Sequence, residues 1–349
     1  MSRRADAVLA ALAVAVAALF VATVAAGSVT IPLPQVVTVL AGRAPTDPVW
    51  STIVTDVRLP RALTALLAGA ALGVGGLQMQ TLFRNPLADP FILGVSSGAS
   101  LGVALVVLTA GQAGTTLVGG LGLAASVGVA GAAAVGAGVT TAAVLAVSRR
   151  VASPATVLII GLMAGYVTAA VVSVLIHSGV GGVERVRAYI AWGFGSFAST
   201  TWSELTVLVP CIAAGLALAG AMTKQLNALL LGDRYAASMG LRVRGARVLV
   251  ICGASLLAGV TTAFCGPIAF VGVAAPHVAR AVLRTSDHRA LVPGCLLVGG
   301  AVALAAGLAA QVPGSDATLP LNAVTSLIGA PVVVGVLLRL RRSAQAVVP

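Results

Sequence analysis

Long apolar stretches alternate with short segments rich in charge, glycine or proline along the whole chain. A transmembrane α-helix needs roughly 20 predominantly apolar residues, and the chain has ten stretches of that order. A transmembrane barrel would instead alternate polar and apolar residues, and few stretches do so. The pattern predicts an all-α polytopic membrane protein with about ten transmembrane helices in a single domain, residues 1–349. The predicted spans are approximately residues 8–27, 59–82, 91–110, 117–147, 153–178, 203–222, 246–264, 268–284, 290–311 and 320–340.

The stretch from residue 58 to residue 102 is predicted to form the packed centre of this bundle. It contains two spans joined by a proline-containing corner at residues 84–90. The second span carries three glycines at four-residue spacing, Gly94, Gly98 and Gly102. Glycines four apart lie on one helix face, where the absence of side chains lets a second helix approach closely in lipid. We expect these three glycines to be helix-packing positions.

Composition and charge distribution support a membrane protein with both termini on the cytoplasmic side. Hydrophobic residues make up 59% of the chain and charged residues 9%, with a mean hydropathy of +1.07, whereas about a quarter of residues are charged in soluble domains. An inner N-terminus and ten crossings place most basic residues inside, as the positive-inside rule requires. These inner residues are Arg3, Arg4, Arg84, Arg149, Arg150, Lys224, Arg234, Arg242, Arg244, Arg247, Arg280, Arg284, Arg289, Arg339, Arg341 and Arg342. The net charge of +12 therefore reports orientation, and nucleic acid is not an expected partner.

The chain lacks residues that several transport and enzyme mechanisms require. All nine acidic residues fall in loops or at span ends, so the midplane carboxylate of many ion-coupled carriers is not expected. The single lysine, Lys224, is not preceded by the glycines of a phosphate-binding loop, so ATP hydrolysis would need a separate subunit. The three histidines and four cysteines form no metal-binding or catalytic motif. We expect no catalytic residue, metal site or cofactor in this chain.

Two segments leave a functional and a structural interpretation open. Arg58 and Arg61 are three residues apart and share one face at the outer end of a helix. They would either anchor the helix at the membrane surface or pair with carboxylates of an external partner. In the longest inner loop, Asp233 can cap a short helix that Gly240 ends in a left-handed conformation. That helix would be either a docking element or part of an ordinary interfacial loop.

Six ordered sequence blocks resemble the FecCD type of permease subunit, found in ABC importers for iron chelates, haem and vitamin B12. The blocks are Arg58-Leu59-Pro60-Arg61, Arg84 to Pro90 with Leu93-Gly94-Val95, Leu231-Gly232-Asp233 to Met239-Gly240, Gly266 to Gly272 with Pro276-His277, Asp287-His288-Arg289 with Pro293-Gly294-Cys295, and Leu319-Pro320 to Ile328-Gly329-Ala330-Pro331. The resemblance implies a BtuC-like type II ABC importer fold in the bacterial cytoplasmic (inner) membrane. It implies a second permease subunit, identical or homologous, two cytoplasmic ATP-binding subunits that bind ATP and magnesium, and an extracytoplasmic substrate-binding protein.

The resemblance also implies roles for particular residues. Arg58 and Arg61 would pair with glutamates of the binding protein, and Asn85 would lie near the inner mouth of the pathway. The coupling helix that fits a groove on the ATPase would span about 233–240, and its residues include Asp233, Arg234, Ala237, Ser238 and Gly240. The chain has Gln311 and Thr318 where family members often carry an arginine and an acidic residue, so part of the docking surface is expected to differ.

The cargo expected from this resemblance is a ferric siderophore or haem, with vitamin B12 as the alternative within the class. An ion-coupled secondary transporter is the alternative of a different class. Uptake that survives loss of the ATPase would favour that second class.

Overall fold

The structure, a computed structural model, describes residues 3–109, 125–148, 150–151, 154–179, 181–311 and 318–345. The regular secondary structure in these ranges is helical, apart from one isolated β-bridge between Gln311 and Thr318. The predicted all-α class is therefore confirmed. The first part of the fourth predicted span, 117–124, and Arg149 lie outside the described residues.

The described residues form fifteen α-helices, together with two short π-helical turns and one 3-10 turn. The α-helices are α1 Arg3–Ala25, α2 Leu33–Leu40, α3 Pro48–Thr52, α4 Leu59–Phe83, α5 Val95–Ala104, α6 Ala125–Ser148, α7 Pro154–His177, α8 Gly182–Gly193, α9 Trp202–Ala221, α10 Thr223–Leu230, α11 Asp233–Ser238, α12 Val243–Cys265, α13 Val271–Leu283, α14 His288–Ala309 and α15 Leu321–Gln345. The π-helical turns are Ile53–Arg58 and Leu105–Thr109, and the 3-10 turn is Pro90–Leu93.

Seven helical segments of the described chain are long and apolar enough to cross a membrane. They are Arg3–Ala25, Pro48–Phe83, Gly128–Val147, Thr156–His177, Trp202–Ala221, Val243–Cys265 and His288–Ala309. Three shorter apolar segments correspond to the third, eighth and tenth predicted spans, namely Val95–Thr109, Val271–Leu283 and Leu321–Gly335. The third is short because Gly94 breaks the helix at φ +76°, and the eighth begins only after Phe270 at φ +68°. A membrane protein is confirmed, and ten crossings stay a prediction.

Helix α4 is the centre of the bundle and is buried along most of its length. It packs against α9, α12, α13 and α14. A Cβ at Gly73 would lie 2.5 Å from the Cys295 carbonyl oxygen, and one at Gly76 would overlap the Gly272 carbonyl. Backbone-to-backbone contact of this kind is how helices associate in lipid. The chain is therefore organised around α4, whose two ends present the candidate sites.

The two ends of α4 differ in character, and we name them by the predicted orientation. The outer end carries Arg61, α8 and residues 318–320. The inner end carries the inner corner, defined as residues 84–90, and the coupling helix, which is α11. The loop before α4 forms the short helices α2 and α3, as its four prolines favour.

Candidate functional site

Arg58 lies at the end of the π-helical turn before α4, with 5% of its surface exposed. Its guanidinium donates to the carbonyl oxygens of Ala25 at 2.6 Å and Val24 at 3.2 Å, and also to that of Val29. The last carbonyls of a helix have no intrahelical partner and favour a cation. A Cβ on Gly27 would lie 2.6 Å from Arg58 Nη2, so the guanidinium occupies the space over that glycine. Arg58 therefore caps α1 and ties it to α4, and its side chain does not face outward.

Arg61 lines a recess at the outer end with a volume of about 170 Å³. We call this the outer recess. Its wall is completed by residues 194–198 after α8, by the end of α14, and by residues 318–321. Arg61 Nε is buried and has no hydrogen-bond partner among the described residues, so part of the guanidinium's donor capacity is unused. Ser196 and Thr318 contribute to the same wall. A cation beside hydroxyl-bearing residues is suited to an anionic group.

Gln311 and Thr318, the two departures from the resembled family, are neighbours across the isolated β-bridge. The Leu319 N–H donates to the Ala310 carbonyl at 2.8 Å, which holds this short pairing together. Gln311 Nε2 donates to the Gly307 carbonyl near the end of α14 at 3.4 Å, whereas Thr318 lines the outer recess. The recess thus contains a neutral hydroxyl where family members often have a carboxylate.

The coupling helix begins at Asp233, but Asp233 does not cap it. The N-cap is Gly232, at φ +103°, and the Asp233 carboxylate accepts a hydrogen bond from Arg247 Nη2 at 2.6 Å. The predicted capping role of Asp233 is wrong, because its carboxylate bonds Arg247 on α12 and not a backbone N–H of its own helix. Gly240 follows the helix end at φ +83°, the left-handed conformation that the sequence predicts there. The ion pair fixes the coupling helix to α12.

The coupling helix is held by one buried residue and exposes most of the others. Ala236 is fully buried. The exposed residues of the predicted coupling set are Arg234, Ala237, Ser238 and Gly240. Large apolar side chains are exposed beside them: Leu231 at 61%, Tyr235 at 56% and Met239 at 54%. We name these three the docking strip, because large exposed apolar side chains on one short segment mark a candidate interaction surface.

The docking strip is a functional candidate that the capping pattern in the sequence does not predict. Its signal was available, since three large apolar residues recur at four-residue intervals within a basic loop. The capping pattern indicates only the first and last positions of this short helix, Asp233 and Gly240.

Asn85 lies in the inner corner and is half-buried. Its side-chain oxygen accepts from the Leu87 N–H at 2.9 Å, and its backbone N–H donates to the Gln80 carbonyl at 3.2 Å. The first bond forms an Asx turn, which sets the direction of the corner. His277 Nε2, on α13, lies 2.8 Å from the Pro86 carbonyl oxygen. Asn85 thus shapes the corner that α13 supports.

A polar network at the inner end joins α4, α10 and α14. His288 is 1% exposed, and its Nε2 lies 2.8 Å from Thr81 Oγ1. Asn227 Oδ1 accepts from the His288 backbone N–H at 2.9 Å and lies 2.8 Å from Nδ1, while Asn227 Nδ2 donates to Asp287 at 2.7 Å. The backbone N–H of Arg289 and the Asn227 amide hold the pKa of Asp287 below its usual value. The network gives His288 and Asn227 positioning roles that their sequence spacing did not reveal.

The three predicted packing glycines are placed in two different ways. A Cβ on Gly98 would lie 2.5 Å from the Gly136 carbonyl oxygen of α6, and one on Gly102 would overlap the Ala132 carbonyl. Gly94 lies before α5 rather than on its face, as the left-handed N-cap residue, 3.0 Å from the Gly161 carbonyl when given a Cβ. The prediction that all three glycines lie on one helix face is therefore wrong for Gly94, because the helix begins at Val95.

Replacing Gly136 by alanine is expected to destabilise the α5–α6 pair. The new Cβ would overlap the Gly98 carbonyl and lie 3.1 Å from the Gly102 nitrogen, and overpacking of this kind costs about 1–3 kcal/mol. Gly138→Ala is the matched control, because a Cβ at Gly138 on the same helix meets no heavy atom within 4 Å. Thermal unfolding in detergent should show a lower midpoint for the first variant only. Equal midpoints would contradict the packing role.

Comparisons with known proteins agree with this geometry. The model of the FecCD transport family matches residues 14–339. The vitamin B12 import system permease protein BtuC of Citrobacter koseri is 35% identical over 290 residues, which are 83% of this chain and 84% of that protein. The corresponding protein of Escherichia coli O9:H4 is 33% identical over the same shares. A solved structure of an inward-facing metal-chelate type ABC transporter superposes with a TM-score of 0.82 and 29% identity, covering 96% of this chain and 99% of the other.

Proposed function

The chain belongs to the FecCD transport family, and from this premise we propose that it forms the translocation pathway of an importer for a ferric siderophore or haem. It is an ABC transporter permease of the inner membrane, and a separate subunit hydrolyses ATP. One observation carries the proposal: a single central helix, α4, joins a cationic recess at one end to the corner beside the coupling helix at the other. An importer driven from inside and loaded from outside needs specific surfaces at both ends.

We assign docking of an extracytoplasmic binding protein to the outer recess and to Arg61. Arg61 is partly exposed and lines the recess, and a carboxylate is the group that matches a guanidinium best. Arg58 is assigned a structural role instead, because its guanidinium already bonds three carbonyls of the α1 end. Docking thus depends on one arginine per permease subunit.

We assign contact with the ATP-binding subunit to the coupling helix and the docking strip. The ion pair between Asp233 and Arg247 holds the helix on the bundle, which leaves its opposite side for a partner. The apolar docking strip supplies the area that is removed from water on assembly. Both termini are proposed to lie on this inner side, where the basic residues concentrate.

Vitamin B12 is the second candidate cargo. It is favoured by the relatives at 33–35% identity, which are named vitamin B12 import permeases. Iron chelates are supported by the metal-chelate type transporter that shares the whole fold. We assign cargo choice to the binding protein.

The test is to reconstitute the chain in liposomes with the ATPase and the binding proteins encoded near it. ATPase activity and uptake are measured with ferric siderophore, haem and vitamin B12. Cargo-dependent stimulation with uptake of the iron chelate is the expected result. Stimulation by vitamin B12 alone would show that the cargo is vitamin B12 and not a ferric siderophore or haem. Uptake along an ion gradient without the ATPase would refute the importer itself and favour a secondary transporter.

A further inference from the structure

The side chain of Arg84, in the inner corner, lies against the start of the coupling helix. A Cβ placed on Gly232, the N-cap of the coupling helix, would lie 3.3 Å from both terminal nitrogens of the Arg84 guanidinium. Gly232 is buried, whereas Leu231 before it is exposed, and the Arg84 guanidinium lies against it. The contact joins the end of α4 to the start of α11.

The position of the guanidinium is also favourable electrostatically. Gly232 comes directly after Leu231, the C-cap of α10, so the cation lies at the carboxyl end of that helix. The last carbonyls of a helix carry a partial negative charge and favour a cation within the last turn. The cation therefore lies where the dipole of α10 favours it.

Arg84 adopts an unfavourable backbone conformation. It ends α4 at φ +46° and ψ +37°, a region in which residues other than glycine are strained by about 1 kcal/mol or more. Glycine is the usual residue after a helix end. A glycine would adopt this conformation without strain, so the Arg84 side chain can be removed without disturbing the helix end.

The opposite side of the inner corner is attached to α13. His277 bonds the Pro86 carbonyl at 2.8 Å, and Asp89 Oδ2 lies 2.7 Å from the position of a Cβ on Gly272. The inner corner, which contains Asn85, therefore contacts α13 on one side and the start of the coupling helix on the other. A movement of the coupling helix would reach Asn85 through Arg84.

We propose that Arg84 is a positioning residue that transmits displacement of the coupling helix to the inner mouth of the pathway, through its guanidinium contact with Gly232. This inference rests on the proposed function. It assigns to Arg84 a part in coupling that is separate from binding either the ATPase or the cargo.

The test compares Arg84→Gly with Arg284→Gly in the complete transporter. Arg284 ends α13 in the same left-handed conformation, φ +51° and ψ +42°, and is exposed, so both variants relieve the same backbone strain. Uptake per ATP hydrolysed is measured in proteoliposomes with the cargo that stimulates the wild type. Arg84→Gly should lower this ratio about tenfold, within the range of typical coupling between sites, while Arg284→Gly keeps it. Arg84→Lys retains a cation and should restore part of the ratio.

A distance measurement tests the contact independently of transport. Spin labels are placed at Leu87→Cys in the inner corner and at Arg242→Cys beyond the coupling helix, with the four native cysteines replaced by alanine. One narrow distance distribution is expected in the parent and in Arg284→Gly, and a broader or shifted one in Arg84→Gly. Equal distributions, or an unchanged uptake ratio, would overturn the inference. A wild-type protein that imports nothing would refute the proposed function alone. The spin-label distances would still test the role of Arg84.

Discussion

Tyr235→Asp is expected to weaken binding of the ATP-binding subunit by about 30-fold or more and to abolish ATP-driven uptake. Tyr235 is the middle residue of the docking strip and is 56% exposed. Aromatic anchors near the centre of an interface typically contribute about 2 kcal/mol or more, and a carboxylate at that place would also have to be desolvated. The measurement is co-purification and affinity of the ATPase for the permease in nanodiscs.

The matched control for this variant is Val183→Asp. Val183 is also an exposed apolar residue, at 71%, but it lies on α8 at the outer end. It should leave ATPase affinity unchanged, and both variants should fold, since neither side chain is buried. If Tyr235→Asp bound the ATPase normally, the docking strip would have no role in assembly, and the coupling assignment would have to move to the polar residues of α11.

The helices themselves could be predicted closely from the sequence, because lipid imposes one strong rule on spanning segments. The predicted span 59–82 corresponds to the helix Leu59–Phe83, and the predicted span 153–178 corresponds to the helix Pro154–His177. Broken helices were harder. Gly94 and Phe270 interrupt their spans through backbone conformation, and hydropathy does not report φ. The close backbone contacts at Gly73 and Gly76 of α4 were also missed, because many glycines share the same spacing.

The candidate site was harder to predict because its contacts join residues distant in sequence. Asp233 has the spacing of a helix cap, yet its partner is Arg247, fourteen residues later on another helix. Arg58 and Arg61 share a helix face, yet one is buried against α1 and the other lines an open recess. Local spacing gives the face of a helix and not what covers it.

Arg61→Ala is expected to weaken docking of the binding protein strongly, whereas Arg58→Ala should lower stability with docking retained. Removing one partner of a buried charge pair typically costs about 2–5 kcal/mol, so Arg61→Ala should weaken docking by about 30-fold or more. Arg58→Ala removes three hydrogen bonds to carbonyls near the end of α1. Bonds to a charged group contribute roughly 1.5–3 kcal/mol each when measured singly, so the thermal midpoint should fall clearly.

Measuring both quantities on both variants separates the two roles. Binding-protein affinity is measured by surface immobilisation of the folded permease complex, and stability by thermal unfolding of the same preparation. Arg43→Ala is the control, because Arg43 is an exposed outer arginine outside the recess wall, and it should change neither quantity. If Arg58→Ala also removed docking in the folded fraction, both arginines would face the partner, and the buried position of Arg58 would have to open on binding. A loss confined to Arg61 would instead make the outer recess the attachment point, with Arg58 serving only to hold α1 beside it.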